Sequence, residues 1–484
     1  MMTLRSPIFA TLATLASFST FAAFSMPAFG APDWRAVTTS DMKFAIETVR
    51  SSHAGAVSGQ IDVSAPLEQG ASLGLIEAAS ASSEQDYRRA MVRFISAFGD
   101  PHTAIQLHLQ AKAWTGLVID HVGGKYRVSW SEPNWPQPLP PRGAEVQGCD
   151  GVWIGTYLKS SVAPFSNRSL EYSSSMSDLA RLAMFDQGLG WTPTRCTFHL
   201  ADGASRVYAL PLHAISKEQL AEVRKRYVAK ARPVGVTKAG ANQHWVGMPD
   251  FNGARSADAY EKLYAQLAGL KTSSWIIFDL RGNGGGDSSW GNRALKALYG
   301  EAYGEQLGAT ASYVKSLVAS PATLGIYQHY ASLPEFAASK AGLDADIDKI
   351  KAAIARGEPT AKVEESSKEQ ALTQAASLRA RPGGPRIAAV IDRNCFSSCM
   401  NFLQQISTIA DTVVLGEATI GYSPYGEIGE FKLPSGNGAL YIPSAIYTAF
   451  QATREPFVPA LRYDGDMADD EALMAWVSAR LSGL

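Results

Sequence analysis

Two stretches of this 484-residue chain carry residue types that could do chemistry. The first is Ser397. It stands six residues beyond the apolar run Ile387-Ala-Ala-Val-Ile391, at the start of a segment whose Phe402, Leu403, Ile406 and Ile409 mark one face of a helix. A hydroxyl at such a corner has two physical advantages. The first-turn N–H groups of a helix have no partner within the helix and can hold a developing oxyanion, and the helix dipole favours negative charge at that end. Two other assignments compete: an ordinary N-cap serine, and Ser398 as the nucleophile by position.

The second stretch is Arg281-Gly-Asn-Gly-Gly-Gly-Asp287, directly after the apolar strand Ser274-Trp-Ile-Ile-Phe-Asp-Leu280. Three successive glycines allow positive φ and let a backbone N–H approach a ligand closely. A turn at the C-terminal end of a buried parallel strand is a usual ligand position in α/β sheets. Phosphate binding has little support from pattern. There is no G-x-x-x-x-G-K-[ST] run, and Asp287 takes the place of the last glycine of G-x-G-x-x-G. The alternative is a loop without function.

The elements that must position these residues follow from periodicity. Residues 40–110 read as helical: Tyr87, Met91, Phe94, Ile95 and Phe98 recur at spacings of three and four, Gly99 stops the helix, and Pro101 blocks its continuation. In 112–215, Gly116–Asp120 and Tyr126–Trp130 alternate like strands, a proline-rich loop covers 133–141, and Arg142–Ile154 reads as strand, Asp-Gly turn, strand. That last stretch resembles part of a PDZ domain, although unrelated hairpins share the pattern. From 216 to the end an α/β signal dominates. The helix at 259–270 carries Tyr260, Leu263, Leu267 and Leu270 on one face, a second helix follows at 292–298, and strands lie at 387–391, 412–415, 431–433 and 440–442. Residues 305–384 read as a helical insertion, with Leu343, Ile347, Ile350 and Ile354 on one face and a stop at Gly357.

Composition narrows the function classes. The 44 Lys+Arg balance 45 Asp+Glu for a net charge of -1, which excludes a broadly basic nucleic-acid coat. At 46% hydrophobic residues there is ample material for buried cores, and the length suggests about three domains. Residues 1–30 read as a secretory signal peptide. Arg5 supplies the charge, 8–29 are uncharged, and Ala28 and Gly30 precede a cut before Ala31. The alternative is an N-terminal membrane anchor. The expected location is periplasmic or secreted, with no membrane span after cleavage. An oxidising compartment permits disulfides. Cys149 and Cys196 could pair inside one module, while Cys395 and Cys399, four apart, could pair or remain thiols. The eight histidines form no H-E-x-x-H pair, so neither metal nor cofactor is expected.

Taken together, these segments resemble the C-terminal-processing (tail-specific) serine peptidases and their tricorn-core relatives. The family's strand, Asp-Leu-Arg and Asn-x-Gly-Gly stand here as Phe278-Asp-Leu-Arg-Gly-Asn-Gly-Gly-Gly286. Its nucleophile motif stands as Ser397-Ser-Cys-Met400, Gly-Glu-x-Thr-x-Gly as Gly416–Gly421, and Asp-Gly-His-Thr of the tricorn-like branch as Asp100-Pro-His-Thr103. The resemblance implies an α/β fold with a ClpP/crotonase-like catalytic core (216–484), a helical N-terminal domain (31–111) and a PDZ-like module (112–215). It also implies a serine peptidase acting on peptides or unfolded proteins. Ser397 becomes the nucleophile, His102 the general base and Glu455 the carboxylate that orients it, with Glu417 as the alternative carboxylate. The oxyanion hole falls to N–H groups of Ser398 and the Gly284-Gly285 turn, while Asp279 and Arg281 hold that turn in shape. Tyr422 stands where a Ser-Lys branch has its lysine, which disfavours a dyad, and Met400 replaces a glutamate. These departures leave open a catalytically impaired peptide-binding scaffold of the same fold.

Overall fold

The computed structural model describes residues 32–484 apart from 109–111, 169, 171–172, 240–241, 309–312, 366–383, 420, 422 and 450–456. The expected signal segment 1–30, Tyr422 and Glu455 lie outside the described residues.

Helices open the chain: α1 (Trp34–Ser52), α2 (Ala54–Ser58), α3 (Gly70–Ser80) and α4 (Glu84–Ser96). The face read from the sequence is the one α4 buries, with Tyr87, Met91, Phe94 and Ile95 all in the core. Gly99 follows at φ 60°, the left-handed conformation that ends a helix without steric cost to glycine. A short loop then leads into β1 (Ala104–Leu107).

An antiparallel sheet comes next, its strands in the spatial order β2 (Leu117–Val122), β3 (Lys125–Ser131), β4 (Glu145–Cys149), β5 (Arg195–His199) and β6 (Ser205–Ala209). Helix α5 (Ser173–Ala183) packs along β2, the edge strand. The Asp-Gly turn is present: Asp150 and Gly151 take φ 49° and 82°, as a tight hairpin requires. Cys149 and Cys196 face each other across β4 and β5 and are joined by a disulfide.

The remaining chain builds two interleaved sheets. In order it runs through β7 (Gly235–Lys238), β8 (Gln243–Gly247), α6 (Gly253–Ala268), β9 (Trp275–Asp279) and α7 (Ser289–Tyr299). Then come β10 (Tyr313–Val318), α8 (Pro321–Ser332), α9 (Lys340–Arg356) and β11 (Thr360–Glu365). It continues with β12 (Arg386–Ile391), α10 (Ser398–Ser407), β13 (Val413–Gly416), β14 (Tyr425–Lys432) and β15 (Gly438–Ala449), and ends in β16 (Leu461–Arg462) and α11 (Asp470–Ser482).

One sheet has the order β7-β8-β9-β12-β13-β16, parallel throughout except for the β7/β8 pair. Side chains along a strand alternate between faces. Ile276 and Phe278 of β9 therefore join Leu263 and Leu267 of α6, Leu295 of α7 and Phe402 and Ile406 of α10 in one core. Trp275 and Ile277 join Leu473, Val477 and Leu481 of α11 in a second core on the opposite face. Covered on both sides, β9 carries no polar residue before Asp279, which is why it reads as a continuous apolar run.

The other sheet is organised by β15, which pairs with β14 along one edge and with β1 and then β10 along the other, while β11 extends β10. The stretch read as a helical insertion does hold α9, with Ile347 and Ile350 buried and Gly357 left-handed at its end. It also supplies strands β10 and β11, so it is an integral part of this sheet as well as a helical excursion. Among the described residues no helix is long and apolar enough to cross a membrane.

Candidate active site

Ser397 sits where β12 turns into α10, at φ 56° and ψ -124°. That region is sparsely populated by residues with a side chain and costs on the order of 1–3 kcal/mol, so it persists only where the surroundings enforce it. Although Ser397 occupies the N-cap position, its hydroxyl makes no capping hydrogen bond. The neighbouring hydroxyl differs: Ser398 is buried and its Oγ donates to the Gly286 carbonyl at 2.6 Å. Ser397 is partly exposed. Of the two serines, only Ser397 has a hydroxyl not committed to the fold.

The glycine turn lies directly against this corner. A methyl group on Gly285 would fall 2.7 Å from Ser397 Cβ and 2.8 Å from the Phe396 carbonyl, and Gly285 takes φ 98°. Glycine is required there on both counts. Gly284 is exposed, and a methyl group would meet nothing. The Gly285 N–H donates to Asn283 Oδ1 at 2.9 Å, so that amide is engaged. The Ser398 N–H opens α10 and has no carbonyl of its own helix to meet.

Buried polar contacts hold the turn. Arg281 forks onto Asp279 (Nε–Oδ1 2.8 Å, Nη2–Oδ2 2.5 Å) and reaches Asp470 at 2.7 Å. Asn283 Nδ2 donates to the Met248 carbonyl, and the Phe396 N–H donates to the Asn283 carbonyl. The Gly282 N–H donates to Asp392 Oδ1 at 3.1 Å. Burial pushes the Asp392 carboxyl up to about 6, helped by repulsion from Glu417. Asp279 and Arg281, both buried at the start of the turn, are thus linked to each other and to Asp470.

His102 arrives from the front of the chain, on the loop between α4 and β1. Its imidazole packs on the ring of Phe396, the residue before Ser397, with centroids 4.8 Å apart. The ring is buried, and its Nδ1 has no hydrogen-bond partner. Burial holds its pKa below the ordinary histidine value, against the pull of Asp100, the Tyr425 main chain and Glu427. The loop is pinned from three sides. Asp100 Oδ1 accepts the His102 N–H at 2.8 Å, and Asp100 Oδ2 accepts the Ser423 hydroxyl at 2.6 Å. His53 completes the set. Its Nδ1 accepts from Gly55 and Ala56 at the start of α2, which leaves the proton on Nε2 to donate to Thr103 Oγ1 at 3.0 Å. Burial lowers the His53 pKa to about 4, so this ring stays neutral.

Two further arrangements escape sequence reasoning. Arg393, four residues before Ser397, bridges Glu417 (Nη2–Oε1 2.6 Å) and Asp120 of β2 (Nη1–Oδ1 3.1 Å). Asp120 also accepts from Arg181 of α5 at 2.6 Å. Burial opposes its ionisation, yet the two guanidinium groups outweigh burial and hold Asp120 at about 2. The alternative carboxylate, Glu417, is thereby committed to Arg393. Glu427, at φ 52° in β14, pairs with Lys315 at 2.8 Å and with the Tyr447 hydroxyl at 3.1 Å. An acidic residue with positive φ is a signal only the backbone carries. The expected carboxylate Glu455 lies outside the described residues, whereas Phe457 just beyond it exchanges hydrogen bonds with Thr419 of the Gly416–Gly421 motif. Met400 is buried in the core, and no group of residues suited to a metal ion occurs among the described residues.

Ser397 and Cys395–Cys399 share one more feature: a disulfide joins the two cysteines on either side of the serine.

No protein-family model matches the chain, and no curated protein matches it by sequence. Solved structures do share its fold. Mature CPAF complexed with lactacystin superposes at a TM-score of 0.63 with 10% identity, over 93% of this chain and 98% of that one. Mature CPAF alone gives 0.62 with 11% identity, over 92% and 96%. The tricorn protease gives only 0.40 with 11% identity, over 93% of this chain and 37% of that one, too loose to bear on the assignment. The shared fold is a mixed α/β architecture spanning nearly the whole described chain.

Proposed function

We propose that the chain is an exported serine peptidase that hydrolyses peptide bonds by a Ser-His-Glu mechanism. The observation that carries this reading is the conformation of Ser397: a strained, uncapped serine at a helix N-terminus, lying against Gly285 and following directly on Phe396, whose ring supports His102. A hydroxyl held out of its capping role against the cost of strain is what a nucleophile requires.

In this reading Ser397 Oγ attacks the scissile carbonyl while His102 accepts its proton and then delivers it to the leaving amine. The ring is neutral at rest because burial disfavours its charge, so it begins as a base. Glu455 orients the imidazole and offsets the charge it acquires. The oxyanion lies between the Ser398 and Gly284 N–H groups, and each such donor typically contributes about 3 kcal/mol. Gly285, whose amide is engaged by Asn283, serves mainly by lacking a side chain. The β7–β16 sheet is the ClpP/crotonase-like core of this reading, and the β2–β6 sheet with α5 is its PDZ-like module. In this reading a histidine base favours the tricorn-like branch over the Ser-Lys branch.

The scaffold alternative draws less support. At the β2 edge of the PDZ-like sheet, strand addition would have to displace Ser177 of α5, which exchanges hydrogen bonds with both the N–H and the C=O of His121.

A fluorophosphonate probe and an unfolded protein substrate test the proposal. Labelling and hydrolysis by the wild type, lost in Ser397→Ala and hydrolysis lost in His102→Ala while both variants fold, is the expected result. Labelling that persists in Ser397→Ala, or a folded wild type that neither labels nor cleaves, overturns it.

A further inference from the structure

Resting on the peptidase reading, we infer that the Cys395–Cys399 disulfide is a positioning element that holds Ser397 as a nucleophile, so that activity requires the bridge to be oxidised. The bridge connects the residue two before Ser397 to the residue two after it, with Cα atoms 5.4 Å apart. Both cysteines are fully buried, in the core beneath α10. The five-residue loop they close contains the strained residue at its centre.

A serine at this position has an alternative state. In an extended N-cap conformation its hydroxyl would accept an N–H from the first turn of the helix, the role serine fills best at helix starts. Here the relevant donors are already taken: the Cys399 N–H goes to the Phe396 carbonyl and the Met400 N–H to the Ser397 carbonyl. The uncapped state survives because the chain on both sides of Ser397 is tied down. The Cys395 N–H is held by the Asp392 carbonyl and the Phe396 N–H by Asn283, but the only covalent tie across the corner among the described residues is the disulfide. Without it, the segment from Cys395 to Cys399 can rotate Ser397 into the capping state, where the hydroxyl is spent on the helix.

The chemistry is reversible. A dithiol reductant supplies two electrons and two protons. The sulfur–sulfur bond breaks, Cys395 and Cys399 each become a thiol, and the reductant closes to its own disulfide. Because both sulfurs are buried, exchange requires the corner to open, so the bridge resists weak reductants and responds to strong ones.

The test compares rate constants for fluorophosphonate labelling, together with kcat and KM on a peptide. Cys395→Ala/Cys399→Ala is expected to lower labelling and kcat 10- to 100-fold with KM within about twofold, while the cooperative thermal transition is retained. Cys149→Ala/Cys196→Ala, which removes the distant bridge, is expected to label at the wild-type rate. If the first pair fails to fold, dithiothreitol reduction of Cys149→Ala/Cys196→Ala under mild urea, followed by reoxidation, gives the same answer: labelling lost and then regained. Labelling at the wild-type rate with the Cys395–Cys399 bridge absent overturns this inference alone. A folded wild type that never labels overturns the peptidase reading and this one with it.

Discussion

The imidazole of His102 rests on the ring of Phe396 with centroids 4.8 Å apart, at an interplanar angle of 47°. Phe396 is both the surface under the His102 ring and the residue that immediately precedes Ser397. Phe396→Leu keeps an apolar side chain there but loses the flat surface. We expect kcat to fall at least tenfold with KM little changed and stability reduced by about 1 kcal/mol. Steady-state kinetics and urea unfolding check both. An unchanged kcat would remove Phe396 from the positioning of His102.

The glycine turn makes a sharp contrast between neighbours. Gly285→Ala puts a methyl group 2.7 Å from Ser397 Cβ, on a backbone at φ 98°. Activity should drop more than a hundredfold, and the midpoint of thermal unfolding should fall. Gly284→Ala keeps its N–H and meets nothing, so its loss should stay below tenfold. Equal effects from the two variants would count against the close approach of the turn to Ser397 as a working part of the site.

The pH profile follows from burial. A general base acts when neutral, and burial holds His102 below the ordinary histidine range. The acid limb of kcat/KM should therefore lie below pH 6.5. Asp100 pulls the other way, favouring the protonated ring. Asp100→Asn removes that pull, so the limb should move further to the acid side, and a shift towards neutral pH would contradict the assignment of His102 as the base.

Asp120 and Arg393 tie the antiparallel module to the loop that leads into Ser397. Asp120→Asn leaves Arg393 with Glu417 alone and Arg181 with the more distant Asp178, a partial loss of compensation that should cost about 2 kcal/mol at pH 7 and lower kcat. The sign of the pH dependence is fixed by the depressed pKa: the Asp120 contribution is present above about pH 4 and is lost as pH falls towards 2. Chemical denaturation across that window should show the wild type losing more stability than the variant. Parallel losses would place the stabilisation elsewhere.

Much of the architecture is legible in local pattern. The run at 275–279 reads as a strand covered on both faces because β9 is one, and the face of α4 read from Tyr87, Met91, Phe94 and Ile95 is the face it buries. Strands β10 and β11 are less legible. They flank amphipathic helices: β11 pairs with β10 across those helices, and β10 pairs with β15 far along the chain, so no short-range period announces them. Likewise, nothing in the sequence around Asp120 names Arg393, and nothing at Ser423 names Asp100.

The sequence by itself determined the periods of helix and strand, the glycines at the turn and the presence of two adjacent serines, since these depend on neighbours a few residues apart. Only the tertiary structure decided which serine keeps its hydroxyl, which glycine must lack a side chain, and that Cys395 and Cys399 pair around Ser397. Those outcomes depend on backbone conformation and, for the serine and the glycine, on contacts between segments 112 residues apart, where steric exclusion and burial act only once the chain has folded.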